Sequence, residues 1–244
     1  MLENKFLFTE EDYNVFDPEI TKSTDPKYGR QRTNTKNKLL SLHYRLYPKI
    51  ELSRMNVCKH SNEKNITSYW FPNEHNNFDV HWIGLRYGED PKVIKMLDFD
   101  TDKDDTEKGF LKHQCYQINI EYTGMEVSIY HNTPRNTWDY GYTMQHIDDE
   151  KFQKELIHCI EQLKGLGLKW YIGQDVFNID KRNSEEVIQF YKSHLGKSEY
   201  NCILVDIPRY SPMLLDTNIV ETCLYYMDKM YNLYSLMRWK ENER

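Results

Sequence analysis

Alanine is missing from this 244-residue chain altogether, although it is normally among the commonest residues. Lys outnumbers Arg 22 to 10 and Asn is abundant. Ala codons begin with GC, so the bias fits an AT-rich coding sequence rather than a structural demand. Long apolar runs are lacking too. No stretch approaches the ~20 residues of a membrane helix, and no N-terminal run resembles a signal peptide. Clustered cations are missing: the net charge is −6 with no long basic run, which argues against nonspecific nucleic-acid binding and leaves room for a local basic patch. The five cysteines (58, 115, 159, 202 and 223) are odd in number, widely spaced and free of C-x-x-C, which reads as reduced thiols. No G-x-G-x-x-G, P-loop, G-x-S-x-G or H-E-x-x-H is present. These absences point to a bacterial, cytoplasmic protein with no membrane segment.

What the chain does have is aromatic mass, with 19 Tyr and 5 Trp. Such side chains supply both cores and binding surfaces. It also has one clean alternation, HQCYQINIEYTGMEVSIYH, residues 113 to 131. A strand sends successive side chains to opposite faces. Gln114, Tyr116, Ile118, Ile120 and Tyr122 therefore form an apolar face, and His113, Cys115, Gln117, Asn119 and Glu121 a polar one. A two-residue turn at Thr123-Gly124 places Tyr122 opposite Met125, Ile120 opposite Val127 and Ile118 opposite Ile129. It also opposes Glu121 to Glu126, a repulsive pair in a bare hairpin. The polar face, with Ser128 and Tyr130, is expected to face solvent or to floor a polar cleft.

Around the hairpin the spacing predicts a short helix in FTEEDYNVF capped by Thr9, within a polar N-terminal segment 1–32. A helix over Thr33–Tyr47 is expected to stop at Pro48. Strands follow at Arg54–His60, Ile66–Phe71 and Val80–Tyr87, with an Asn-rich loop NEHNN before the last. Residues 98–109 form an acidic loop, and NTPRNTWDYGY a turn-rich segment. Asp148 or Asp149 caps a helix to about Lys164 that carries Phe152, Leu156, Cys159, Ile160 and Leu163 on one stripe. Then come a short strand LKWYIG, a helix from Ser184 to His194, a buried strand NCILVDI and a helix from Asp216 or Thr217 through Trp239. The grouping predicts a single α+β domain over 1–244, with an antiparallel or mixed sheet of about six to seven strands and helices mainly on one face.

The strings FTEEDYNVF, VCKH (57–60), HWIGL (81–85), KSEYNCILVDIPR (197–209) and a closing MYNLYSLM resemble, in order and layout, the bacterial YktB-like proteins, a family without an assigned activity. The resemblance implies an α+β fold and transfers no catalytic residue.

Several candidate sites follow. Arg135, Trp138, Tyr140 and Tyr142 lie in a Gly/Pro-bearing segment suited to stacking on a base, a sugar or a partner's Arg. With Gln117 and Tyr130 they would line a cleft for a small ligand or protein partner. The competing expectation is that these rings close the core. Asp79, His81 and His113 carry metal-ligand chemistry, and Glu121 or Glu126 would then serve as ligand or base of a hydrolase or nuclease. Asp98, Asp100 and Asp102 start a calcium-loop pattern that fails at Lys103 and Gly109. Asp79 with Asp90-Pro91-Lys92 has the residue types of a restriction-type nuclease, with the second part in a turn. Cys159 and Cys223 sit on helix core stripes, where buried thiols are inert. The last helix is expected to pack on the sheet or to form a homodimer seam. The leading reading is a binding module without catalysis, and the rival is the metal-dependent hydrolase. No cofactor, ligand identity or pathway follows from the residues.

Overall fold

The computed structural model describes residues 5–59, 67–98, 113–131, 137–196 and 200–239. Among them lie seven α-helices and seven strands in an α+β arrangement. The antiparallel sheet has the order β1-β2-β3-β4-β7-β5-β6. The helices are α1 (Glu10–Asn14), α2 (Pro26–Glu51), α3 (Pro91–Asp98), α4 (Trp138–His146), α5 (Glu150–Gln162), α6 (Glu186–Lys192) and α7 (Ile219–Met237). The strands are β1 (Cys58–Lys59), β2 (Trp82–Gly88), β3 (Cys115–Glu121), β4 (Gly124–Tyr130), β5 (Lys169–Ile172), β6 (Asp175–Asn178) and β7 (Asn201–Pro208). The chain divides into two compact units. The first takes residues 1–87, 117–127 and 206–226, and the second takes 88–116, 128–205 and 227–244.

In the first unit, α1 opens as a capping box, with the Thr9 backbone N–H donating to Asp12 at 2.7 Å. The polar N-terminal segment is anchored by greasy side chains, since Phe8, Tyr13, Val15 and Phe16 are buried. α2 starts earlier and ends later than the sequence predicts. Asp25 caps it by accepting from Lys27 N at 2.7 Å, and Pro26 sits where no N–H is needed. Pro48 does not stop it. The proline removes one backbone bond near the helix end, while Leu42, Leu46 and Ile50 on the buried stripe hold the last turns against the core. His43, Tyr47 and Tyr87 stack within 6.0 Å of one another. The expected strand around 66–71 is reduced to a single bridge, Thr67 to Leu85.

The hairpin forms with its apolar face inward: Ile118, Ile120, Val127 and Ile129 are all buried. Its turn falls on Tyr122 and Thr123, one residue before the expected place, and Gly124 is the first residue of β4. Gly124 is needed for close approach, because a Cβ there would lie 2.1 Å from the Ile207 carbonyl oxygen. Tyr122 is not part of the core. Its ring takes the Arg209 guanidinium at 4.2 Å, and the Arg209 side chain also donates to Asn14 at 2.7 Å.

The polar face of the hairpin does not face solvent. Gln117, Asn119, Glu126 and Ser128 are as buried as the isoleucines behind them. Asn119 is accommodated because Gly84 on β2 has no side chain: a Cβ there would stand 1.9 Å from Asn119 Oδ1. The Asn119 amide then donates to Glu126 at 2.9 Å and to Gln117 at 3.3 Å. A buried carboxylate is thus given donors instead of water, as burial of charge requires.

In the second unit, α3 occupies the place read as a turn, with Asp90 accepting from Lys92 N at 2.8 Å and Pro91 leading the helix. Within NTPRNTWDYGY, read as turn-rich, residues 132–136 lie outside the described residues, and residues 138–142 are helical, forming the start of α4 after an extended Thr137. β5 is followed directly by β6, an unexpected hairpin around Gly173 (φ 60°). Asp149 caps α5 by accepting from Lys151 N at 2.8 Å, and its Phe152, Leu156, Cys159 and Ile160 are buried. Most apolar residues of α7, among them Met230, Leu233 and Tyr234, are buried, while Tyr225 is exposed. Tyr234 stacks on Tyr116 at 4.6 Å.

Candidate functional site

The sequence-derived aromatic site is mostly core. Tyr140 and Tyr142 are buried. Gly196 N donates to the Tyr140 hydroxyl at 2.8 Å, and the Tyr142 ring lies tilted against His146 at 4.5 Å. Trp138 is half-buried against Trp239 at 5.4 Å. Tyr130 lies beside Tyr200 at 5.7 Å, and Gln117 belongs to the buried amide chain of the hairpin. Arg135 and the calcium-like run after Asp98 fall outside the described residues.

The titratable residues form pairs. In the first unit Asp79 meets His81 at 3.1 Å and Lys22 at 3.6 Å. Burial raises the Asp79 carboxyl, but a Thr21 hydrogen bond, His81 and Lys22 outweigh it and hold it below the usual 3.8. In the second unit His113 lies 3.5 Å from Asp139, both buried. Asp139 accepts the backbone N–H groups of Gln114 and Trp239, each at 2.6 Å. Burial again works upward on this carboxyl, and the donors from His113, Trp239 and Gln114 prevail and keep it lowered. Glu121 is bonded by the Thr123 hydroxyl, and Glu126 by Asn119. Among the described residues no three His, Cys, Asp or Glu side chains gather as a metal would need. Burial pushes the Cys159 thiol up to about 11 and that of Cys223 up to about 12. Both are therefore neutral at pH 7 and are weak nucleophiles.

The sequence reading missed a surface in the first unit. Residues 69–82 carry five large aromatics in a short, tightly bonded loop. Asn73 N donates to Asn76 Oδ1 at 2.8 Å, Asn76 Nδ2 to the Phe71 carbonyl at 2.8 Å, and Phe78 N to the Asn73 carbonyl at 2.7 Å. This frame turns the chain through Asn77 (φ 51°) and Phe78 (φ 56°). Asn tolerates the left-handed region; a bulky Phe there is an outlier. Phe78 is nonetheless 61% exposed and Phe71 43% exposed. Trp70 meets Phe71 edge-on at 5.4 Å and carries the Lys36 ammonium 3.5 Å above its ring. Burial on that ring lowers the Lys36 pKa. Lys36 stands one turn beyond Arg32, which is fully buried and donates to the Ile20 and Thr21 carbonyls at 2.8 and 3.1 Å. Thr21 in turn accepts Val80 N at 3.1 Å. The α2 side chains thus fix both ends of the aromatic loop. The signal in the sequence was the run NEHNN, whose Asn side chains can bond to their own backbone, between two aromatic groups.

No family model matches the chain, and no curated protein matches it either. The resemblance to YktB-like proteins therefore rests on the short strings alone.

Proposed function

We propose that the chain is a non-catalytic binding module that takes a protein partner on the aromatic loop of its first unit. The observation that carries this reading is Phe78. A left-handed Phe costs about 1–3 kcal/mol, and this one keeps most of its ring in water, being 61% exposed. A loop that spends backbone strain to hold a ring in water has its compensation in something that covers the ring. Phe71 is presented beside the same bonded frame, and the neighbouring charges include Lys22, Lys36 and the Asp79–His81 pair. Rings of this kind act as anchors when a partner desolvates them. The cations favour a partner with an apolar pocket edged by carboxylates.

The test is a double substitution, Phe71→Ala with Phe78→Ala, in a protein immobilised against an extract of its source cells. Phe78 lies mostly outside the core and Phe71 is half-buried, so the double variant should lose only a few degrees of thermal midpoint and stay folded under assay conditions. The reading expects a stoichiometric partner on the wild type that is absent from the variant. Equal recovery on both proteins would refute it.

A further inference from the structure

In the second unit α5 and the C-terminal half of α7 enclose a groove of about 430 Å³, within the size range of small-molecule sites. We propose that this groove binds a small organic acid, an aryl or alkyl carboxylate, with its apolar body on the floor and its carboxylate on the α5 rim. The inference is independent of the aromatic loop.

The floor is formed by Cys159 and Leu236, both buried, and Tyr231 stands beside them. A buried thiol that stays protonated behaves as a small apolar group. Polar order is imposed from one end. Asn232 Nδ2 donates to Gln162 Oε1 at 2.8 Å and links the two helices. With its oxygen engaged, Gln162 presents its amide nitrogen to His158 Nε2, also at 2.8 Å. A ring nitrogen that accepts from an amide carries no proton, so in the neutral imidazole the proton resides on Nδ1. With the two amides in this arrangement, His158 keeps on Nδ1 a proton that it can donate.

Lys154 precedes His158 by four residues and stands on the same stripe of α5. Its bond to Glu150 joins two highly exposed groups, a pairing that solvent screens strongly and that an incoming carboxylate can replace. Glu155, also on the rim, has Lys151 within 4.0 Å one turn earlier. An apolar floor beside an ammonium and an imidazole matches an amphiphilic anion. A neutral isostere would lose the charge-assisted half of the interaction.

The test uses 4-phenylbutyrate and its amide as probes on the full chain, followed by thermal midpoint and by chemical-shift perturbation. The acid should raise the midpoint with concentration and perturb residues of α5 and α7, and the amide should do neither. Lys154→Gln, an exposed change that leaves the fold intact, should weaken the acid by about fivefold or more, near 1 kcal/mol. Gln162→Leu should also weaken it by freeing the His158 tautomer. Equal response to acid and amide, no response to either, or wild-type affinity in both variants would overturn the proposal.

Discussion

Two buried histidines should make this protein lose stability between pH 7 and pH 5, before its carboxylates titrate. His131 and His43 are both pulled from 6.5 to about 4, chiefly by burial, with the Lys59 charge adding to the effect on His43. Each ring also has a neutral partner. His131 lies 3.2 Å from Gln114 Oε1, and His43 lies 3.0 Å from the Tyr87 hydroxyl. The folded protein keeps these rings unprotonated where the unfolded chain already binds protons. Stability therefore falls as pH drops below 6.5 and levels off near pH 4. Each unit of pKa shift corresponds to 1.36 kcal/mol. From pH 7 to pH 5 the loss comes to about 2 kcal/mol per histidine, or about 4 kcal/mol for the pair. Asp139 does not add to this window, because its carboxyl lies below 3.8 in the folded state.

Urea denaturation at the two pH values measures the effect. The variant His43→Gln with His131→Gln should show a pH dependence smaller by about 4 kcal/mol, whatever its absolute stability. A wild type with equal stability at pH 7 and pH 5, or a double variant with the wild-type slope, would refute the reasoning.

Three further outcomes follow from the packing. Gly84→Ala places a Cβ 1.9 Å from Asn119 Oδ1 and 2.9 Å from the Ile118 carbonyl oxygen, and should cost about 1–3 kcal/mol in denaturant midpoint analysis. Adding Asn119→Ala should recover only part of this, since the backbone clash remains. Asp139→Asn turns an amide toward the N–H groups of Gln114 and Trp239, and should cost about 3 kcal/mol or more in the same assay. Glu89→Gln should destabilise by a similar amount, because it leaves the Arg238 guanidinium, bonded at 2.8 Å through Nε, with a neutral partner in a mostly buried position.

The hairpin shows what the sequence made legible and where it failed. Period-two alternation identified Ile118, Ile120, Val127 and Ile129 as inward, because a slip of one residue would have mixed the two faces. The same alternation suggested that the opposite face was wet. Nothing local marks Gln117, Asn119 and Glu126 as buried; the Asn119 amide nitrogen joins the three, and the room for its oxygen depends on a glycine one strand away at Gly84. Helix α2 overran Pro48 because tertiary packing of Leu46 and Ile50 outweighed a local breaker. α4 was hidden by Gly141 and by the turn residues before it, whereas the Thr137 and Asp139 start signal was present. For the candidate site, aromatic content does not by itself separate core rings from surface ones. Tyr140 and Tyr142 are buried, whereas Phe71 and Phe78, on either side of NEHNN, reach water on a loop framed by Asn side chains.

The account rests most heavily on Phe78 being a point of contact, and site-specific photo-crosslinking probes that directly. A benzophenone side chain placed at Phe78 should give one dominant cross-linked product in extract of the source cells. The same group at Val176, exposed on β6 of the second unit, should not. Identical patterns from both positions, or no product from Phe78, would contradict a partner seated on the aromatic loop.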